Sequence, residues 1–143
     1  MTRISFHFNV PNRLGYACRL LRKAIRQGAR VTATGPEPLL AELDRALWSF
    51  DPIEFVPHLR IQSGQQPPER LRATPVCLVT ELGTALHHDV LVNLGQEPPA
   101  GFESFERLVE IVSTDEADRL AARARWKHYS TRGYVIEKHE VQP

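Results

Sequence analysis

Apolar residues recur at every second position from Arg3 to Val10, where Ile4, Phe6, Phe8 and Val10 alternate with more polar neighbours. That period predicts a first strand with one face in a core. Pro11 and Asn12 then open a helix to about Gln27, with Leu14, Ala17, Cys18, Leu21 and Ile25 as its buried stripe and Gly28 as its stop. Arg30 to Thr34 is a short β-branched strand, and Gly35-Pro36 turns into a second amphipathic helix. There Leu39, Leu40, Leu43, Ala46 and Leu47 repeat at 3.6-residue spacing. A Pro turn and a short extended apolar run through Phe55 and Val56 to His58 follow. Strand, helix, strand, helix in this order implies parallel strands joined by crossovers, the beginning of an α/β sandwich.

The segment from Gln62 to Arg72 is polar and carries Pro67-Pro68, which predicts a surface loop. Pro75–Thr80 and Asp89–Leu94 are near-continuous apolar runs, as expected of central strands covered on both faces. Leu108–Val112 is a further strand candidate, preceded by a short helix or turn at Phe102 and Phe105. A last helix is expected from about Thr114, its N-cap, to Arg132, with Asp115, Glu116 and Asp118 in the first turn. Its wheel places Ala117, Leu120, Ala121, Ala124 and His128 on the core side. Arg119, Arg123 and Trp126 share an outward ridge. Gly133 stops this helix, and Tyr134–Glu137 can add an edge strand. The absence of repeats and low-complexity tracts leads us to expect a single domain over residues 1–143.

An apolar content of 42% with 24% charged residues describes a globular chain, and a net charge of +1 provides no global field for a polyanion. Cys18 and Cys77 stand in no paired motif and read as buried thiols. No apolar leader or membrane-length run is evident, so the expected location is cytoplasmic.

Chemistry is sparse. No GxGxxG or P-loop pattern occurs, and Pro36 removes an amide that a phosphate loop after the second strand would use. His87 and His88 are adjacent and would point to opposite faces of a strand, so no metal site is expected. No serine or cysteine lies in an activated setting, and acidic residues near helix ends, such as Asp44, Asp51 and Glu54, read as caps or solvated groups. No catalytic residue, cofactor or metal is assigned. The informative feature is that both tryptophans, Trp48 and Trp126, fall off the apolar stripes. An aromatic flanked by arginines suits an acidic peptide with an apolar end. It equally suits a single-stranded nucleic acid stacked on Trp, and composition leaves both open.

The run LDRALWSFDPIEFVPH carries a specific pattern in Leu43, Asp44, Leu47, Trp48, Phe55, Val56, Pro57 and His58. It resembles the segment LDxxLWxxxxxxFVPH of the chi subunit family of bacterial DNA polymerase III holoenzyme. The last helix, LAARARWKHY, is similar to that family's basic, aromatic-ended final helix, and the order of elements matches over essentially the whole chain. The resemblance implies a Rossmann-like three-layer α/β sandwich with a mostly parallel central sheet and no nucleotide site. It also implies a non-catalytic accessory role in DNA replication, with DNA reached only indirectly. Two partners are implied. The acidic, Phe-ended C-terminal tail of single-stranded DNA-binding protein would meet Trp48, Val112, Arg119, Arg123 and Trp126. The psi subunit, which links chi to the clamp loader, would meet Phe55 and Val56. Trp126 departs from the family's usual Tyr but keeps the aromatic role. The short Val10–Leu14 loop and the composition of Gln62–Arg72 are further departures.

Overall fold

The computed structural model describes residues 1–50, 55–62 and 65–141. The expected Pro turn at Asp51–Glu54 and the Ser63–Gly64 part of the polar segment lie outside these residues. Among the described residues, seven strands form one sheet: β1 (Arg3–Val10), β2 (Val31–Thr34), β3 (His58–Ile61), β4 (Val76–Val79), β5 (Val90–Asn93), β6 (Arg107–Ser113) and β7 (Ile136–Glu140). Their order is β3-β4-β2-β5-β6-β1-β7, and every neighbouring pair is parallel. The sheet is therefore all-parallel, which fits a Rossmann-like sandwich.

Helices α1 (Arg13–Arg26) and α2 (Glu37–Ser49) cover one face. Ala17, Cys18 and Leu21 of α1 join Leu40, Leu43 and Leu47 of α2 against Val31, Ala33, Leu78, Val92 and Ile111. The third helix, α3 (Glu116–Thr131), lies on the other face. Its Ala122 and Tyr129 share a second core with Ile4, Phe6, Leu91, Leu108 and Val112. The apolar stripes predicted for α1 and α2 are the buried ones, because two helices that pack on a sheet must each turn one stripe inward. Asn12 caps α1, its side chain accepting from the Gly15 amide at 3.0 Å.

In β1 the alternation holds for Ile4 and Phe6 but fails at its end. Asn9 takes a φ of +64°, and the pairing with β6 shifts between His7 and Val10. Val10 is thereby turned into the α1–α2 core, opposite Ile4 and Phe6. The segments around Glu69–Leu71, Leu82–Thr84 and Phe102–Ser104 are short 3-10 turns.

The largest correction concerns α3. The buried positions are Asp118, Ala122, Arg125 and Tyr129, spaced by four, three and four residues. Leu120, expected in the core, is 55% exposed. Ala117 and Ala124 are also exposed, while Ala121 and His128 are half-buried. Hydrophobicity misread this helix because its inward face carries charges that meet partners. Thr114 is not the N-cap either. Asp115 caps the helix, its carboxylate accepting from the Asp118 amide at 3.3 Å.

Candidate peptide-binding cleft and apolar patch

Two buried polar clusters hold α3 in place. In the first, the Glu110 carboxylate sits on β6 with no exposure. It accepts from Arg125 Nε at 3.0 Å, from Asn93 Nδ2 at 3.1 Å, and from the Tyr129 hydroxyl. Burial pushes the Glu110 carboxyl above its ordinary range, against the pull of the Arg125 guanidinium and the two neutral donors. Burial and the adjacent carboxylate likewise raise the Tyr129 hydroxyl. Arg125 Nη1 donates to the Gln96 carbonyl at 3.1 Å, closing the network onto the segment after β5. In the second cluster, Asp118 accepts from the Ser113 amide at 2.7 Å and from Arg13 Nη1 at 3.3 Å, tying the start of α3 to β6 and α1.

So anchored, α3 leaves a cleft of about 600 Å³ along its side toward β1 and β7. Phe6, Phe8, Val112, Ala122 and Trp126 supply apolar surface, and Arg119, Arg123 and Lys138 supply positive charge. Trp126 is half-buried, its ring 5.1 Å from that of Phe6. Lys138 Nζ lies 5.2 Å from the Trp126 ring centroid, a cation–π contact. Glu140 is the acid among the lining side chains.

Of the five residues singled out for a peptide tail, Val112, Arg119, Arg123 and Trp126 meet in this cleft. Trp48 does not. It stands on α2, on the other face, against Phe55 at 4.9 Å and His58 at 5.3 Å. His58 begins the edge strand β3, whereas Trp126 packs on β1, five strand spacings away. At about 4.8 Å per spacing the two regions are roughly 24 Å apart across the sheet. The fold therefore does not bring Trp48 to the other four residues expected to meet the tail, a matter of topology that helical wheels do not contain.

Trp48 is 64% exposed and Phe55 51%, and together they make an apolar patch. Beneath it the His58 imidazole bridges two acceptors, Asp44 Oδ1 and the Val56 carbonyl, each at 2.7 Å. Asp44 and His58 thus fasten the Phe55–Pro57 segment to α2. Val56, expected to meet a partner, is instead 2% exposed in the α1–α2 core. The apolar run through Phe55 and Val56 thus divides, with Val56 entering the core and Phe55 staying on the surface.

Lys138 was missed by sequence reasoning because the edge strand expected over Tyr134–Glu137 stops one residue short of it, whereas β7 runs to Glu140. Asp118 and Arg125 were missed because charged residues carry no core signal; the i, i+4, i+7, i+11 spacing ending on Tyr129 was the available clue.

The molecule is an all-parallel α/β sandwich with an apolar, cation-rimmed cleft on one face and an exposed aromatic patch on the other. Comparison with known sequences places it more narrowly. The family model described as DNA polymerase III chi subunit, HolC, matches residues 1–137. The chain is 35% identical to the DNA polymerase III subunit chi of Pseudomonas aeruginosa, over 99% of this chain and 98% of that protein. It is 33% identical to the Haemophilus influenzae subunit of the same name, over 87% and 85%. The chain belongs to the chi subunit family of DNA polymerase III, whose members are non-catalytic accessory subunits of the replicative holoenzyme.

Proposed function

We propose that this subunit is a two-sided adaptor. Its α3 cleft takes the acidic C-terminal tail of single-stranded DNA-binding protein, and its Trp48–Phe55 patch takes the psi subunit. The observation that carries the reading is the convergence of Val112, Arg119, Arg123 and Trp126 on one cleft with apolar walls and a cationic rim. A peptide that ends in Phe needs such a combination. The ring leaves water against Phe6, Phe8 and Val112, while a carboxylate terminus meets a guanidinium that can bind it bidentately. Arg123 is the residue assigned to that terminus, and Arg119 and Lys138 to acidic groups further back. On the opposite face, Trp48 and Phe55 offer the kind of exposed aromatic anchors that dominate protein interfaces.

Direct stacking of nucleic-acid bases on the α3 ridge is the weaker reading. One side of the Trp126 ring already rests on Phe6, and Lys138 lies over it. The test is anisotropy of a fluorescent acidic peptide with a terminal Phe. Arg123→Ala should weaken binding at least tenfold, and deleting the Phe should remove most of it, since anchors of this kind carry about 2 kcal/mol or more each. Trp48→Ala should leave the peptide affinity unchanged and weaken psi. Unchanged peptide affinity in Arg123→Ala would overturn the site assignment.

A further inference from the structure

We propose that a second surface, on the α1 face beside the β1–β7 edge, binds the phosphate backbone of single-stranded nucleic acid independently of the α3 cleft. The net charge of +1 hides an uneven distribution. Residues 1–36 contain Arg3, Arg13, Arg19, Arg22, Lys23, Arg26 and Arg30 and no Asp or Glu. Tertiary contacts neutralise some of them: Arg13 meets Asp118, and Arg30 meets Asp89 at 2.8 Å. Arg3, Arg19 and Lys23 remain exposed.

The fold then gathers charge from distant parts of the chain. Tyr16, Arg19 and Lys23 form a stripe along α1 at three- and four-residue spacing. Strand alternation turns Arg3 and His7 of β1, Arg107 of β6 and His139 of β7 to the same side. Ile4, Phe6 and Leu108 point to the α3 core, and Lys138 and Glu140 point into the cleft. His7 sits at the centre, hydrogen-bonded to the Tyr16 hydroxyl, with its ring 5.0 Å from that of His139. Glu137 is the acid that the alternation of β7 places on this side.

Burial, followed by His139, Arg107 and Lys23, holds the His7 imidazole down to about pKa 4. The burial share of that effect disfavours charge of either sign, and only the share from the neighbouring cations favours an anion, so the placement of Arg3, Arg19, Lys23 and Arg107 is what marks the surface. Two cations one helical turn apart, flanked by a phenol ring and two imidazoles, match a strand that offers phosphates and flat bases together. A partner held in the α3 cleft would leave this surface open, because the sheet separates the two.

The experiment uses the whole chain and fluorescein-labelled oligo-dT. Three phosphate contacts give a salt slope of about −2, hence a roughly 20-fold loss of affinity between about 50 and about 200 mM salt. The double charge reversal Arg19→Glu/Lys23→Glu should abolish oligo-dT binding while leaving affinity for the acidic Phe-ended peptide intact. Arg123→Ala should do the opposite. Bound oligo-dT should also raise the His7 pKa followed by NMR, a shift no purely structural role would produce. The proposal is overturned by absence of oligo-dT binding at about 50 mM salt. It is also overturned by loss of binding in Arg123→Ala with insensitivity to the charge reversal, by loss of peptide binding in the charge reversal, or by an unmoved His7 titration. The adaptor reading rests on the peptide arm alone, so either can fail without the other.

Discussion

Replacing Arg125 by Ala tests whether the Glu110 network is what holds the α3 helix on the sheet. Arg125 has 1% and Glu110 0% of its side chain exposed, with Nε and Oε1 3.0 Å apart. Truncation leaves a carboxylate in the core with only the Asn93 amide and the Tyr129 hydroxyl as donors, and leaves the Gln96 carbonyl without its guanidinium. Breaking a buried pair from one side costs about 3–5 kcal/mol, because the stranded charge keeps its desolvation penalty and loses its compensation. Against an overall stability of about 5–15 kcal/mol this is a large fraction, yet the protein should still fold at 25 °C. For a chain of this length the loss corresponds to a fall in Tm of roughly 10–20 °C, read by circular dichroism. The triple variant Glu110→Leu/Arg125→Met/Tyr129→Phe removes the carboxylate, the guanidinium and the phenol together. Asn93 keeps an acceptor in the Glu97 carbonyl at 3.2 Å, so this variant should recover most of the stability. A loss below about 1 kcal/mol in Arg125→Ala, or a triple variant no more stable than the single one, would refute the reasoning.

The buried face of α3 predicts opposite outcomes at nearby positions. Leu120→Ser should change stability by no more than about 0.5 kcal/mol, whereas Tyr129→Ala should cost about 3–5 kcal/mol in urea unfolding. Comparable losses at both positions would restore the stripe expected from hydrophobicity. His7 predicts a pH effect. Its pKa in the fold is about 4 against an ordinary 6.5, so protonation favours the unfolded chain. The contribution is complete above pH 6.5 and is lost as the pH falls toward 4. Discounted for partial exposure, it amounts to about 1–2 kcal/mol. His7→Gln should flatten the stability profile in that window, and identical slopes for the two proteins would contradict it. Burial and Arg30 push His87 the same way, so the comparison is made between variants rather than against a flat baseline.

Local periodicity was enough for much of the scaffold. Strand β1 was legible because alternation reports a half-buried strand, and α1 and α2 because their apolar stripes are uninterrupted. The core strands β4 and β5 were legible as unbroken apolar runs. The ridge of Arg119, Arg123 and Trp126 was readable too, since it depends only on positions within one helix. The chi-like block marked the family before any coordinates did.

Long-range pairing decided the rest. A residue's side of the sheet depends on strand order, so no local pattern could separate Trp48 from Trp126 or bring Lys138 beside the latter. Nor could it show that one Asn9 dihedral turns Val10 to the other core. Charged residues become core residues only when a partner distant in sequence completes their hydrogen bonds, as Glu110 does for Arg125 and Arg13 for Asp118. The sequence by itself determined which elements form and which ridge is basic. The tertiary structure decided which faces are buried and which surfaces stand apart, because those depend on contacts between residues that are remote along the chain.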